Sequence, residues 1–442
     1  MTKQLKSITL VVGLAFLTLG KAQSTDQSAL DNFLDTLGQH DKFMGTIVVL
    51  DKGKEVYAHT VGHTNFDQRA KADAHTLYRI GSISKTLTAT LVLKAVEEGR
   101  LELSNSVDNY FPTMPNANQI TLAQLLDHHS GIHNFTGDPS FAQWRTEKKT
   151  EREMVDIISQ GGIDFKPGTQ GEYSNSNYVL LSYILQKVYS KPYGQILQEQ
   201  IIAPLQLKET RFGDEHIPDG MKVRSYTYEI QWNPVVDTDL SIPMGAGAIL
   251  MSAHDLAGFV EALFGGKLLS QPSLDTMLTI TDGYGLGVFK TELLGKTAYT
   301  HDGKIDGFNA IYYFFPEERI TYVMLSNAEN YDLPILHRSI IAPYLGLPLA
   351  LPKLAFYDVS QEELQALEGR YTGTDSPLVI TISEQEGKLL AQPEGQRIYT
   401  MDAEGPNQFR HDKSGVTLEF DPAQQTMTMI QGGQELHFIR SQ

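Results

Sequence analysis

The sequence predicts an α+β fold, in which an antiparallel sheet is flanked by helices and followed by a small all-β domain. Three observations lead to this prediction. A β-hairpin pattern lies near the N-terminus, a largely helical stretch occupies the middle, and strand patterns return late in the chain. We therefore expect the hairpin to join the late strands in one sheet, with an all-helical region inserted between them.

The hairpin is the first element of this prediction. Two β-like runs, residues 45–50 and 55–58, flank the turn sequence Asp51-Lys52-Gly53-Lys54. Gly53 suits the positive φ that a tight hairpin turn requires. The sequence thus indicates two antiparallel strands joined by a short turn.

The helices come next. The first is predicted from Ser82 to Glu98, and its middle is apolar on nearly every side, which is typical of a buried helix. Gly99 supplies the C-terminal stop. Pro and Gly separate four further helical patterns, at residues 122–128, 152–160, 177–188 and 193–202.

The late strands and the tail complete the division into domains. Strands are predicted at residues 286–291, 298–301, 309–315 and 320–326. A helix at 334–345 closes the first domain, which we place at 23–347. Two prolines mark a linker at 348–360. The remainder, 361–442, alternates short β-like runs with turn signals and predicts a small β-sandwich or barrel.

Composition excludes several classes of protein. The chain has 442 residues, with 36 Lys and Arg against 53 Asp and Glu, for a formal net charge of −17. No excess of basic residues is available to neutralise phosphates, so we expect no nucleic-acid partner. The absence of cysteine excludes disulfides, thiolate catalysis, Cys-ligated zinc and a lipoprotein anchor on an N-terminal Cys.

The N-terminal residues have the pattern of a secretory signal. Lys3 and Lys6 precede the apolar run 8–17, and Gly20-Lys21-Ala22 offers small residues at the usual cleavage spacing. We interpret residues 1–22 as a signal peptide, with an uncleaved anchor as the alternative. The mature protein is therefore expected to be periplasmic or secreted, without stable membrane insertion. Its oligomeric state is left open.

The first candidate for chemistry is the pair Ser82 and Lys85. A hydroxyl at a helix N-terminus lies among backbone N–H groups that have no partner within the helix. Three residues are about one helical turn, so the Lys85 side chain can reach the Ser82 oxygen. A buried lysine can lose its proton and serve as the base that a serine nucleophile needs. The alternative is a capping Ser followed by a solvated Lys.

Two further segments carry polar groups suited to the same chemistry. Tyr173 and Asn175 are two residues apart, so both can point the same way from an extended loop. A phenol beside a lysine can transfer protons, and an amide can orient both a lysine and a substrate carbonyl. His301-Asp302-Gly303-Lys304 follows a predicted strand, where a cation and a small residue can receive a substrate. By default these segments are a helix-capping loop and a β-turn.

These three segments, in this order, resemble the serine penicillin-recognising enzymes. This family comprises class C β-lactamases, D-alanyl-D-alanine carboxypeptidases, D-aminopeptidases and related esterases, with a β-lactamase/transpeptidase-like fold. The resemblance covers about residues 43–328. It implies the following roles: Ser82 as the acylated nucleophile, Lys85 as its proton partner, Tyr173 and Asn175 as the family's Tyr–x–Asn pair, His301 and Gly303 as the third motif, and the backbone N–H groups of Ser82 and Lys304 as the oxyanion hole.

The resemblance implies a serine hydrolase without cofactor or metal that acts on a small-molecule or peptide substrate. His301 and Asp302 stand where class C β-lactamases carry Lys and Thr, which favours peptide, amide or ester substrates. Three alternatives remain: a true β-lactamase, a catalytically silent binding or scaffold protein, and a metal hydrolase built on the histidines within residues 127–133. An unperturbed imidazole titrates near ~6.5, so we also expect His301 to be partly cationic at neutral pH and to receive a substrate carboxylate.

Overall fold

The computed structural model describes residues 26–213, 217 and 222–441. The segment predicted to be a signal peptide, residues 1–22, lies outside the described residues. Within the described ranges, no helix is long and apolar enough to span a bilayer.

The helices of the described residues fall into three groups. The first helix, α1 (Gln27–Gln39), precedes the hairpin. The others up to the late sheet are α2 (Ser84–Glu97), α3 (Leu122–Leu126), α4 (Phe141–Trp144), α5 (Glu151–Gly161), α6 (Asn175–Tyr189), α7 (Tyr193–Leu197), α8 (Ala203–Leu205), α9 (Ala253–Phe264) and α10 (Gln271–Met277). The last two are α11 (Leu333–Ile341) and α12 (Gln361–Ala366).

The described strands form a six-stranded sheet, a three-stranded sheet, two short pairs and a barrel. The N-terminal strands are β1 (Phe43–Asp51), β2 (Lys54–Val61), β3 (His63–Asn65), β4 (Ala70–Lys71) and β5 (Tyr78–Arg79). Short strands in the middle are β6 (Thr210–Phe212), β7 (Tyr226–Tyr228), β8 (Trp232–Pro234) and β9 (Ile249–Met251). The late strands are β10 (Phe289–Leu293), β11 (Lys296–Ile305), β12 (Phe308–Phe315) and β13 (Ile320–Glu329).

The large sheet has six antiparallel strands in the order β10-β11-β12-β13-β1-β2. Its β1–β13 pairing runs from Phe43 opposite Glu329 to Asp51 opposite Ile320. This confirms the prediction that the N-terminal hairpin joins the late strands. The hairpin turn places Lys52 at φ 51° and Gly53 at φ 76°, and positive φ at both positions gives a turn that matches the twist of the strands.

Both faces of the sheet are covered, which explains why β1 is apolar at almost every position. Val48 belongs to the core that the sheet shares with α2, α6 and α9. Ile47 and Val49 point the other way, into a second core that includes residues of α1 and α11. Successive side chains of a strand alternate between faces, so a strand buried on both faces needs a continuous apolar run.

Two predicted boundaries differ at the positions that matter for the site. The buried helix was predicted from Ser82, but a 3₁₀ turn spans Gly81–Ile83 and α2 begins only at Ser84. A strand was predicted at 298–301, whereas β11 continues to Ile305. The segment from His301 to Lys304 is therefore part of a strand that pairs with β12, and not a β-turn.

The C-terminal segment forms a closed eight-stranded barrel with its own hydrophobic core. Its strands are β14 (Gly369–Gly373), β15 (Val379–Gln385), β16 (Lys388–Pro393), β17 (Tyr399–Gly405), β18 (Gln408–His411), β19 (Val416–Asp421), β20 (Thr426–Gln431) and β21 (Gln434–Ser441). The last strand closes the barrel by pairing with the first. Of the two predicted forms, sandwich or barrel, the barrel is the correct one.

Candidate active site

Ser82 lies in the 3₁₀ turn that leads into α2, at a cleft of about 380 Å³. The side chain is half-buried and lines this cleft. Gly81 has φ 51°, a left-handed conformation that glycine adopts at little cost. The turn therefore presents the Ser82 hydroxyl to the cleft while the chain reverses into the buried helix.

Strand β11 lies directly against this turn because two glycines leave the necessary space. A Cβ on Gly303 would be 1.9 Å from the Ile80 carbonyl oxygen and 3.1 Å from the Ser82 backbone nitrogen. A Cβ on Gly81 would be 2.9 Å from the backbone nitrogen of Lys304. No side chain fits at either position. The backbone nitrogens of Ser82 and Lys304 are consequently brought to the same end of the cleft.

The Lys85 side chain points back from α2 to the Ser82 hydroxyl and is completely buried. Its Nζ lies 3.0 Å from Ser82 Oγ, 2.8 Å from Asn175 Oδ1 and 2.8 Å from the carbonyl oxygen of Ala246. Burial lowers the pKa of Lys85 well below its usual range, and the charge of Asp302 offsets part of this effect.

The partners of Lys85 determine what its neutral form can do. The oxygens of Asn175 and Ala246 can only accept hydrogen bonds, so they take the two N–H donors of a neutral amine. The lone pair of that amine then faces the third partner, the Ser82 hydroxyl. This arrangement allows Lys85 to take the proton of Ser82 directly.

Tyr173 lies beside both Ser82 and Lys85. The Lys85 Nζ lies 4.9 Å from the centre of its ring. Burial raises the pKa of Tyr173 above its usual value, although the interaction of the phenol with the Ser82 side chain favours a lower pKa. The phenol therefore holds its proton at neutral pH and can donate it to an oxygen or nitrogen in the cleft.

Asn175 is the first residue of α6 and is held from two sides. Its Oδ1 accepts from Lys85, which requires its Nδ2 to point away from the lysine. That Nδ2 donates to Thr136 Oγ1 at 2.9 Å and to Asn134 Oδ1 at 3.3 Å. The loop containing Asn134 and Thr136 therefore fixes the amide orientation.

His128 contacts the segment that carries Tyr173, which agrees with the structural role that the family resemblance implies for this histidine. The ring is buried, its Nδ1 accepts from the backbone N–H of Ser174 at 3.1 Å, and it packs 4.5 Å from the Tyr173 ring. Burial lowers the pKa of His128 well below its usual value, with the neighbouring Lys85 acting in the same direction. A neutral His128 thus positions the segment that carries Tyr173.

The other histidines of the candidate metal set make separate contacts. His129 lies beside Asp127 and Asp282, while His133 lies between Asp138 and Asp164. Among the residues that the structure describes, no group of three or more His, Cys, Asp or Glu side chains could hold a metal ion. These histidines form ion-pair contacts around the loop and do not converge.

The prediction that His301 is partly cationic at neutral pH is wrong. The side chain is buried, its ring packs against Phe289, and its Nδ1 lies 2.6 Å from the Asp302 carbonyl oxygen. Burial, reinforced by the positive charge of Lys85, lowers the pKa of His301 to about 3. The ring is neutral at pH 7, so it cannot supply the cation expected to receive a carboxylate.

The cleft instead contains a different cation, Arg145, which the sequence analysis did not single out. Its Nη1 donates to Asp306 Oδ1 at 2.8 Å, Val236 O at 2.9 Å and Thr238 Oγ1 at 3.0 Å. The Asp306 side chain is only 1% exposed and also pairs with Arg79. Arg79 also pairs with Asp237 at 3.1 Å, so two arginines face two carboxylates at this wall of the cleft.

No local sequence signal predicts this cluster, because its members are far apart in the chain. Asp306 and Arg145 are 161 residues apart, and Thr238 comes from a third segment. The remaining cleft wall is mainly apolar and includes the side chains of Phe135, Phe141, Ile242 and Pro243. The cleft therefore combines an apolar surface with one fixed guanidinium group, near a serine that faces a buried lysine.

Comparison with known proteins is consistent with this geometry. A family model described as Beta-lactamase matches residues 30–341, more than half of the chain. The chain belongs to the beta-lactamase family. It is also 30% identical to the putative penicillin-binding protein PbpX of Bacillus subtilis (strain 168) over 306 residues, 68% of this chain and 74% of the relative. Penicillin-binding protein 4* of the same organism is 24% identical over 447 residues, 93% of this chain and 98% of the relative.

A solved structure is also similar to this chain. The D-stereospecific amidohydrolase from Streptomyces sp. superposes with a TM-score of 0.62 at 27% identity, covering 73% of this chain and all of that one. The family, its penicillin-binding relatives and this amidohydrolase identify the protein as a serine hydrolase of the penicillin-recognising type. The resemblance inferred from the three sequence segments is confirmed at the level of the family.

Proposed function

We propose that this beta-lactamase family member is an exported serine hydrolase that cleaves D-alanyl peptide, amide or ester bonds through an acyl-enzyme on Ser82. One observation carries the proposal. Lys85 is buried between two oxygens that can only accept hydrogen bonds, so the lone pair of its neutral form faces the Ser82 hydroxyl. A serine without such a base is a weak nucleophile at neutral pH.

Acylation follows from these contacts. Neutral Lys85 takes the Ser82 proton as Oγ bonds to the substrate carbonyl carbon, and the carbonyl electron pair moves to its oxygen. The backbone N–H groups of Ser82 and Lys304 stabilise that oxyanion. When the bond to the leaving group breaks, the Tyr173 phenol donates a proton to the departing nitrogen or oxygen and recovers one from Lys85, which is again neutral.

Deacylation uses the same groups in the opposite direction. A water molecule attacks the acyl carbon and gives up a proton through Tyr173 and Lys85. The bond to Ser82 Oγ then breaks, and the proton returns to that oxygen. The products are the carboxylic acid and the regenerated serine, so no cofactor enters the balance. General acid–base steps of this kind contribute typically ~10²–10⁴-fold each.

The substrate class is supported by the cleft and by the similarities. The guanidinium of Arg145 suits a substrate that carries a carboxylate close to the scissile bond, as a C-terminal D-alanyl residue does. The D-stereospecific amidohydrolase supports a substrate of D configuration, and the penicillin-binding relatives support a site that accepts penicillin-like compounds. The third motif lacks the Lys-Thr-Gly of class C β-lactamases, so we expect β-lactams to acylate Ser82 without efficient turnover.

A substrate panel tests the proposal. Acetyl-D-alanyl-D-alanine, a D-amino-acid amide, a short D-alanyl ester and a chromogenic cephalosporin are compared on the native protein and on Ser82→Ala. We expect turnover of at least one D-alanyl compound by the native protein and none by the variant. Equal turnover by both proteins, or turnover of the cephalosporin alone, contradicts the proposal.

A further inference from the structure

A second cavity adjoins the active-site cleft and is lined in part by residues of the barrel. It has a volume of about 390 Å³ and shares Lys304 and Asp306 with the cleft that contains Ser82. We call it the interdomain cavity and define it by residues from both domains: Tyr228, Glu229, Lys304, Asp306, Arg397 and Lys413. A substrate held at Ser82 can therefore extend into a space with one wall formed by the barrel.

The barrel wall is fixed in place by polar contacts with the first domain. The buried Lys42 pairs with Asp402 and, at 2.8 Å, with Asp412. Lys388 donates to the Tyr228 hydroxyl and to the Ile230 carbonyl oxygen, the latter at 2.9 Å. Breaking the buried pairs of Lys42 leaves an uncompensated charge, which is strongly unfavourable. These contacts hold the two domains together, so both domains define the shape of the cavity.

The charges that line this cavity are of two kinds. Lys413 pairs with Glu329 at 2.6 Å, and Asp306 is neutralised by its arginine partners. Among the described residues, Lys304 and Arg397 form no ion pair, and the Arg397 guanidinium stacks over the Tyr399 ring, 5.1 Å from its centre. These two cations remain available to a ligand.

The remaining lining distinguishes between anionic ligands. Glu229 forms no ion pair among the described residues, and its negative charge disfavours a chain that carries a phosphate at every unit. Ile398, next to Arg397, is 42% exposed and offers an apolar contact. Separate positive, negative and apolar groups are what a peptide chain of mixed composition requires, because each peptide side chain can meet a different partner.

We infer that the interdomain cavity is a subsite for a peptide extension of the substrate, with Arg397 and Lys304 binding a carboxylate on that extension. The inference rests on the proposed function, because it needs a substrate that acylates Ser82. It assigns the barrel a direct role: Arg397 lies in the β16–β17 loop, so the C-terminal domain contributes to the choice of substrate.

The test compares matched D-alanyl substrates on the full-length protein. One substrate is short, one is extended on the acyl side by three residues including a glutamate, and one has glutamine in place of that glutamate. A fourth carries a glycerol phosphate oligomer on the acyl side in place of the peptide extension. The readout is the extension gain, the ratio of kcat/KM for each extended substrate to kcat/KM for the short one. Arg397→Gln is the test variant, and Arg370→Gln on β14 is the control with the same charge change.

We expect the glutamate peptide to gain at least tenfold over the short substrate in the native protein. Arg397→Gln and the glutamine peptide should each reduce that gain at least fivefold, whereas Arg370→Gln should preserve it. No gain with the glutamate peptide, equal gains for both peptides, or equal losses in both variants overturns the inference. A larger gain with the phosphate oligomer overturns it as well. Absence of turnover on the short substrate too would instead contradict the proposed function.

Discussion

The Lys85 side-chain nitrogen lies 3.0 Å from the Ser82 hydroxyl oxygen at a position with no solvent exposure. Because burial lowers the pKa of Lys85, the neutral amine is accessible at a pH where an exposed lysine stays charged. In the proposed mechanism, this contact joins the nucleophile to its base without any intermediate group. The proposed chemistry depends on this pair.

Replacing the base tests that dependence. Lys85→Arg places a donor that can reach the same oxygens, but a guanidinium stays protonated and cannot take a proton from Ser82. We expect kcat/KM for a short D-alanyl ester to fall by about 10³-fold or more, in the upper range of general-base effects. Lys94→Arg, on the same helix, is the matched control and should retain activity. Similar losses in both variants would contradict the role assigned to Lys85.

The pH dependence separates Lys85 from His301. Since the pKa of Lys85 is lowered, kcat/KM rises with pH as the amine deprotonates and reaches its plateau below the usual titration range of lysine. The pKa of His301 is about 3, so its ring is neutral throughout the range from about pH 5.5 to 8. The ratio of kcat/KM for a carboxylate-bearing substrate to that for a neutral ester should therefore be constant in this range. A ratio that falls as pH rises would show that a His301 cation receives the carboxylate.

Part of the candidate site could be predicted from the sequence because its residues lie close together in the chain. Ser82 and Lys85 are one turn apart, and Tyr173 and Asn175 share one loop, so their relative positions follow from short-range geometry. The structure places all four side chains around one hydroxyl. The order of hairpin, helices and late strands was also sufficient to predict the large sheet.

The remaining features depend on contacts between residues that are far apart in the chain, and local sequence patterns do not predict such contacts. The charge of His301 is set by burial beneath neighbouring side chains and by Lys85, 216 positions earlier in the chain. The Arg145–Asp306 contact joins segments 161 residues apart. Local patterns also gave no reason to expect β11 to continue past His301, because the small and charged residues there resemble a turn.

Substitution of Gly303 tests whether the close packing of β11 against the turn that carries Ser82 is required. A Cβ at this position would lie 1.9 Å from the Ile80 carbonyl oxygen, so Gly303→Ala must displace the strand or the turn. We expect a loss of about 2 kcal/mol or more in the free energy of unfolding, as for other overpacked sites, together with loss of activity. Gly258→Ala in α9, where the nearest atom is 3.8 Å away, is the control and should be neutral or stabilising. Unfolding midpoints and kcat/KM for both variants decide the matter.

Arg145 tests the assignment of the carboxylate receptor. A charge-assisted hydrogen bond is worth roughly 1.5–3 kcal/mol, which corresponds to about tenfold or more in rate. In Arg145→Gln, Asp306 keeps its contacts with Arg79 and Thr238, so the cluster is only partly disturbed. We expect the preference for acetyl-D-alanyl-D-alanine over its C-terminal amide to fall at least tenfold. Arg152→Gln on α5 serves as the control, and an unchanged preference in Arg145→Gln would place the receptor elsewhere.

The central claim is that Ser82 becomes acylated, and intact-mass spectrometry with peptide mapping tests it most directly. The full-length protein is incubated with a β-lactam, quenched in acid and digested, so that a modified Ser82 is distinguished from the buried Ser84 two residues later. We predict one adduct per chain, located on Ser82 and absent from Ser82→Ala. A stoichiometric adduct on the Ser82→Ala protein, or an adduct mapped to Ser84 in the native protein, would contradict the account.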